Sequence, residues 1–342
     1  MITIKDVAKL SGVSISTVSR VINDSKPVSP EVRKKVLSVI EETGYKPNDV
    51  ARSLVTRRSY LIGVIINNLA QSYVADIVRG IEEIGKMYDY DILLCSSYFS
   101  KDAQKKYLQL LDRKQAEGIF LVGHSFDDEI LDLAKSLNKP CVYFTKKTRN
   151  DMEHICIDNF AASYEATNYL IKQGHKRIAT ISGPDKSGSG HERLSGYKEA
   201  LEKYNIPFRP EYVEYGDFKY QKSYDATKRL LELEEPPTAI FSANNFSTLG
   251  AMQCFFEKNI VIGRDISIIG FDEIRSWLYS NPTRASVANI SVIERPVKQM
   301  AYEAISLLQR NITEGISLQL AKRKVVLENK IVLNGSECLY TK

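Results

Sequence analysis

Ser14-Ile15-Ser16-Thr17-Val18-Ser19-Arg20-Val21-Ile22-Asn23 reads as a short amphipathic helix. Ile15, Val18, Val21 and Ile22 are available for packing, while Ser16, Thr17, Ser19 and Arg20 mostly face outward. Upstream, Thr3 and Asp6 stand at capping spacing for a first helix through Leu10, with Ile4, Val7 and Ala8 on its buried face and Gly12 breaking it. Downstream, Ser29 as cap, Pro30 at the first position and Gly44 past the end announce a third helix with Val32, Val36, Val39 and Ile40 on one stripe. Two short helices joined through Gly12-Val13 have the size and turn of a helix-turn-helix, whose second helix enters the major groove of DNA. Any three-helix module shows such stripes; the small polar and basic outer face of the second helix is what points to nucleic acid. Arg20, Ser16 and Asn23 suit base edges or phosphates, while Lys5, Lys34 and Lys35 read equally well as solvated charges.

Charge placement agrees with this. Of 47 basic and 42 acidic residues, 11 and 6 fall in residues 1–60, so the rest of the chain is balanced and the whole excess sits at the N-terminal end. At 342 residues the chain fits a small module plus a body of two lobes, and 43% hydrophobic with 26% charged residues is ordinary for a globular protein. The longest apolar runs, Ile62 to Ile66 and Ile266 to Ile269, are strand-sized, so no membrane segment is expected. The N-terminus lacks a secretory signal. Five cysteines without Cys-x-x-Cys spacing are expected to be buried reduced thiols, which together with the missing signal predicts a cytoplasmic location.

From Tyr60 onward, short apolar strands alternate with amphipathic helices in two sets. Ile62 to Asn67, Asp91 to Cys95, Gly118 to Val122 and Cys141 to Phe144 form the first set of strands, with helical text such as Ser72 to Tyr88 between them. His154 to Ile157, Arg177 to Ser182, Ala239 to Ala243 and Ile266 to Phe271 form the second, separated by helices over Ala161 to Gln173, Arg193 to Tyr204 and Ser223 to Leu233. The pattern predicts an all-α helix-turn-helix head joined to an α/β body of two doubly wound parallel sheets, with a ligand crevice between them at strand carboxyl ends. The glycine-rich Ser182 to Gly190 stretch lacks the features of a phosphate loop and is expected to be a mobile loop at the cleft mouth. His124, His154, His175 and His191 are scattered without ligand or relay spacing, and no serine sits in a nucleophile elbow. Neither an enzyme, nor a metal site, nor a cofactor is expected.

Ile4-Lys5-Asp6-Val7-Ala8, Gly12-Val13-Ser14, Thr17 to Asn23 and Gly44-Tyr45-Lys46-Pro47-Asn48 resemble the head of the lactose-repressor (LacI/GalR) family. Ile62-Gly63-Val64-Ile65, Arg79-Gly80-Ile81-Glu82, Gly174 to Ala179, Arg193 to Tyr197 and Ile269-Gly270-Phe271-Asp272 are similar to its effector-binding body, itself like periplasmic sugar-binding proteins. The resemblance implies a helix-turn-helix domain over 1–47, a hinge helix and linker over 48–59, and an effector domain over 60–342. Within that domain the first lobe is expected at about 60–159 and 291–322, and the second at about 160–290 and 323–342. It implies a homodimeric repressor of carbohydrate or related catabolic genes that reads a pseudo-palindromic operator in double-stranded DNA. The DNA-facing residues carried over are Thr3, Ser14, Ile15, Ser16, Thr17, Ser19, Arg20 and Asn23, with Asn48, Ala51 and Leu54 of the hinge. Leu54 would be a wedge between base pairs, or else a packing residue of one domain.

The effector, a sugar, sugar phosphate, sugar acid or nucleobase, would be held by Tyr73, Asp158, Arg193, Phe218, Asn244 and Asp272. The plainer readings are that Phe218 belongs to the core, Asp158 caps the following helix and Arg193 is a surface charge. Three departures stand out: Asn244-Asn245 where the family usually has Asn-Asp, a longer loop after Asp272 containing Trp277 and Tyr279, and Asn334 in place of an arginine. One branch of the family takes a phosphorylated phosphocarrier protein as corepressor through an arginine on the helix after the crossover. Ser306 stands at that position here, although Arg310 keeps a later basic site. A solute-binding protein for uptake is the rival from another class; the missing export signal and the basic head oppose it.

Overall fold

In the computed structural model, residues 2–24, 26–45, 58–69, 72–123, 126–144, 152–184, 187–274, 290–314 and 323–340 are described, with Asn23, Ser72 and Glu314 by backbone alone. The hinge positions Asn48, Ala51 and Leu54, the loop with Trp277 and Tyr279, and His124 lie outside the described residues. The chain divides into two units, Met1–Ser59 and Tyr60–Lys342.

In the first unit, α1 (Ile4–Ser11) begins with a full capping box: Thr3 Oγ1 accepts from the Asp6 N–H, and Asp6 Oδ2 accepts from the Thr3 N–H at 2.9 Å. Gly12 ends it in the left-handed region, φ 64°, where a side chain would be strained. In α2 (Ile15–Asn23) the Ser14 hydroxyl accepts from the Thr17 N–H at 3.2 Å. In α3 (Pro30–Thr43) Ser29 does the same for Val32, and Gly44 closes the end at φ 62°. Val7, Ala8, Val18, Val21 and Val36 make the small core, with Ile22, Val32, Val39 and Ile40 packed against it. Ile15, expected among the packing residues, is instead 44% exposed. It occupies the first position after the cap.

The second unit carries two six-stranded sheets among its described residues. The first lobe runs β1 (Leu61–Ile66), α4 (Ser72–Lys86), β2 (Asp91–Ser96), α5 (Lys101–Arg113), β3 (Gly118–Val122), α6 (Asp128–Ser136), β4 (Cys141–Phe144) and β5 (Glu153–Ile157). The second runs α7 (Asn159–Lys172), β6 (Ile178–Ser182), α8 (Gly188–Lys203), β7 (Val213–Tyr215), α9 (Tyr220–Leu231), β8 (Ala239–Ser242), α10 (Asn245–Glu257), β9 (Ser267–Phe271) and β10 (Ser291–Glu294). Three elements follow: α11 (Val297–Glu314), β11 (Lys324–Leu327) and β12 (Lys330–Val332). Sheet order is β11-β5-β4-β3-β1-β2 in one lobe and β12-β10-β9-β8-β6-β7 in the other, parallel except where β12 meets β10. The inner strands β1, β3, β4, β6, β8 and β9 are buried nearly throughout, which is why they stand out as apolar runs rather than alternating ones.

Four expectations are corrected. The strand at His154 to Ile157 does not open the second set: β5 lies between β4 and β11 of the first sheet. The crossover strand β10, expected in the first lobe, extends the second sheet beside β9, burying Val292 and Ile293, and only α11 after it returns to pack on α4. Conversely β11 pairs with β5 in the first sheet, and β12 goes back to the second. Among the described residues the polypeptide thus passes between lobes near Asp158, Arg295 and Asn329, and Asn329 Nδ2 donates to the Asp158 carbonyl at 3.2 Å. Finally, Gly188 to Gly190 is not loop but the first turn of α8, because Ser187 Oγ accepts from the Gly190 N–H at 3.0 Å and offsets the poor helix propensity of glycine.

Within the second lobe, α7 and α8 approach so closely that a methyl at Gly196 would collide with Ser163 Oγ and the Phe160 carbonyl. Gly196→Ala is expected to destabilise the body by about 1–3 kcal/mol through overpacking against backbone that cannot yield. Urea unfolding checks this, and an unchanged midpoint would mean the helices separate at no cost.

The C-terminal stretch is strapped to the second sheet through His175, whose Nδ1 lies 2.9 Å from Thr238 Oγ1 and whose Nε2 lies 2.9 Å from Ser267 Oγ and 3.2 Å from the Cys338 carbonyl. Burial depresses the pKa of His175, against the opposing hydrogen bond to Cys338, so the folded chain holds it neutral. The unfolded chain takes up the proton near pH 6.5. This stability is therefore complete above pH 6.5 and declines as pH falls below it toward the depressed folded value. A thermal midpoint that drops between pH 7.5 and 5.5, with a shallower drop in His175→Asn, is the expected result. Asn334, one of the departures noted above, serves the same strap: its Nδ2 donates to the Ile290 carbonyl at 2.8 Å. Among the described residues no helix is long and apolar enough to cross a membrane, and no cluster of metal-ligating side chains occurs. Cys95, Cys141, Cys156 and Cys254 are buried free thiols, and Cys338 is a free thiol half-buried.

Candidate functional site

On the head, the start of α2 presents Ser14, Ile15, Ser16 and Arg20 to solvent, with Thr17 and Ser19 half-buried beside them. Ser14 Oγ lies 2.8 Å from both Ser16 Oγ and Thr17 Oγ1. Hydroxyls gathered at a helix N-terminus, where unpaired N–H groups and the helix dipole favour negative charge, form a surface fitted to phosphate oxygens. Thr3 is exposed and its hydroxyl is held 2.7 Å from Asp6 Oδ2, an arrangement that lowers the Asp6 pKa.

In the body a cleft opens between the lobes, and most of its polar lining follows the carboxyl end of a parallel strand. Tyr73 follows β1, Asn159 follows β5, Ser189 follows β6, Phe218 follows β7, Asn244 and Asn245 follow β8, Asp272 follows β9 and Arg295 follows β10. Arg193, one turn into α8, completes the set, and Ile77, Phe144, Ile155 and Met300 supply apolar surface. This is where the winding of an open α/β sheet leaves room for a ligand.

Five of the six residues expected here, Tyr73, Arg193, Phe218, Asn244 and Asp272, meet in this cleft. The sixth does not. Asp158 turns its carboxylate to the start of α7, where Oδ1 accepts from the Ala161 N–H at 2.9 Å, so it is a helix cap and the neighbouring Asn159 lines the cleft instead. Arg193 is no surface charge: it is 3% exposed, with Nε and Nη2 donating to Asn159 Oδ1 at 3.0 and 2.9 Å and Nη1 donating to the Ala243 carbonyl. Phe218 is held at φ 57° with its ring tip over Gly183, where a Cβ would displace the ring. Asn244 caps α10, its Oδ1 accepting from the Ser247 N–H at 2.8 Å.

Arg295 is the residue that motif reading missed. Its Nε and Nη2 donate to the two oxygens of Asp272, the second at 3.2 Å, in a buried bidentate pair. Burial opposes the charge on Arg295, but Asp272 outweighs it and the net pKa shift is upward. For Arg193 burial dominates, reinforced by the charge of Arg295, and its pKa is pushed down to about 9 despite the field of Asp272. A signal was present in the text: a charged residue and a proline directly after an apolar strand, Val292-Ile293-Glu294-Arg295-Pro296.

The head and body match known families in that order. Residues 3–48 match the bacterial regulatory proteins of the lacI family, and residues 59–321 match the periplasmic binding proteins and sugar-binding domain of the LacI family. The chain is 32% identical to the HTH-type transcriptional regulator RegA of Clostridium saccharobutylicum, over 96% of this chain and 97% of that protein. It is 36% identical to catabolite control protein A of Priestia megaterium over 84% and 87% of the two chains, and 34% identical to the repressor PurR of Proteus mirabilis over 90% and 89%. In structure it is similar to the lac repressor dimer bound to operator and the anti-inducer ONPF, with a TM-score of 0.82 and 25% identity over 98% of this chain and 99% of that one. These relatives are regulators, not enzymes. With a family match across most of its length and a head built for DNA, the chain belongs to the LacI family of bacterial transcriptional regulators.

Proposed function

We propose that this regulator is a repressor of carbohydrate or related catabolic genes, working as a homodimer on a pseudo-palindromic operator and controlled by a small-molecule effector held between the lobes of its body. The observation that carries the reading is the cleft: an aromatic wall and convergent buried polar side chains, contributed by both sheets, suit a small polar ligand. Two-fold pairing of the chain would present two α2 helices to successive half-sites. Residues 48–59 would transmit the state of the body, being too short for a stable isolated helix and therefore dependent on dimer and DNA for order. A ligand that binds one lobe geometry better than the other shifts operator occupancy about tenfold for each 1.4 kcal/mol of difference.

Duplexes selected from a random library by the full chain, then titrated by fluorescence anisotropy with sugars, sugar phosphates, sugar acids and nucleobases, test this. A tenfold or larger change in operator affinity with at least one compound is expected. Unaltered affinity across the panel counts against effector control, and a monomer at binding concentrations counts against the paired heads. Control by a phosphorylated carrier protein has less to support it: Arg310, the later basic residue on α11, is mostly buried and lies 3.7 Å from the buried Glu153 carboxylate, rather than displayed for a phosphate.

A further inference from the structure

Arg193 is a buried cation whose hydrogen-bond partners among the described residues, Asn159 and Ala243, are both neutral. A guanidinium has five N–H donors, so two on its terminal nitrogens are left for whatever enters the cleft. Arg295 uses one edge on Asp272, its hydrogen-bond partner among the described residues. Both cations lie against the Phe271 ring, Arg193 at 3.5 Å and Arg295 at 5.4 Å from its centroid. Among the described residues one carboxylate therefore faces two guanidiniums in the lining. The amides of Asn159, Asn244 and Asn245 carry no charge, and Glu192 bonds to the other end of the Asn159 amide, at 3.1 Å, without lining the cleft. Helices α7, α8 and α10 also start at this wall, adding the positive ends of their dipoles.

An ion removed from water is stable only when its charge is matched. Among the described residues the lining carries one guanidinium more than it has carboxylates, and a neutral polyol would leave that excess in place. We propose that the cleft takes a singly charged organic acid, a sugar acid or similar polyol carboxylate, with its oxyanion between Arg193 and Arg295 and its ring against Phe218. The assignment rests on the effector reading above and narrows it. A phosphate ester, carrying about −1.5 to −2 charges, overshoots the single excess charge.

The test uses the full chain at constant ionic strength in calorimetric titrations and thermal shift. Glucuronate and galacturonate are compared with glucose and galactose, with glucose 6-phosphate, acetate and inorganic phosphate as further arms. At least one acid is expected to bind tenfold or more tightly than its neutral parent. Arg295→Gln is expected to cut that ratio at least fivefold, and Arg295→Lys, which keeps the charge, to retain most of it; circular dichroism confirms that both fold. Neutral sugars binding as well as their acids overturn the proposal, as does a lack of stabilisation by any of these anions over chloride. Tighter binding of glucose 6-phosphate than of either acid overturns the single-charge assignment. An acid that binds but leaves operator affinity unchanged refutes effector control while upholding the charge assignment, so the two failures are distinguishable.

Discussion

Asp272→Asn is expected to cost the body about 3–5 kcal/mol, because it removes the anionic half of a buried pair and leaves its cation behind. Asp272 is 4% exposed and holds Arg295 with both oxygens. Its field also supports Arg193, so the substitution leaves two guanidiniums uncompensated rather than one. The backbone contributes little to the loss: φ at this position is 71°, and asparagine adopts the left-handed region as readily as aspartate. Urea denaturation followed by circular dichroism measures the change. A cost below about 1 kcal/mol would show that water reaches the pair in solution and that the cleft is wetter than its burial suggests.

Arg20→Ala is expected to weaken sequence-specific operator binding by well over tenfold while leaving the fold intact. Arg20 is exposed on the outer face of α2 and takes no part in the core of Val7, Ala8, Val18, Val21 and Val36. Alanine is the strongest helix former, so the helix itself should persist. A well-placed base-edge contact is worth about 1–3 kcal/mol, and the proposed homodimer would make it twice, giving about 2–6 kcal/mol or roughly thirtyfold to ten-thousandfold in affinity. Non-specific binding, which depends on the summed charge, should fall far less. Anisotropy with selected and scrambled duplexes separates the two, and a specific affinity within threefold of the unsubstituted chain would remove Arg20 from the reading face.

The head was legible almost to the residue, because its rules are local: a hydroxyl at Thr3, Ser14 or Ser29 satisfies N–H groups three residues on, and Gly12 and Gly44 adopt a conformation other residues resist. The inner strands were legible because burial on both faces leaves unbroken apolar text such as Gly118 to Val122. Lobe membership was not. β11 pairs with β5 from 170 residues away, His154 opposite Lys324, and four residues of a sheet edge carry no mark of their partner. The cleft was legible at Asp272, which follows directly on the unbroken apolar strand ending at Phe271. It slipped by one position at Asp158 and Asn159, since either residue can cap a helix and only the fold decides which does. Arg295 escaped because its role depends on a carboxylate 23 residues earlier in the chain.

The passages near Asp158, Arg295 and Asn329 bear on how this protein can be cut. Severing the backbone after Asp158 would give an N-terminal fragment without α11 and β11, and a C-terminal fragment carrying those two elements with no sheet to rest on. Neither piece should persist alone, whereas the two together should reassemble, so a single protease nick there ought to be silent until the fragments are separated by denaturant.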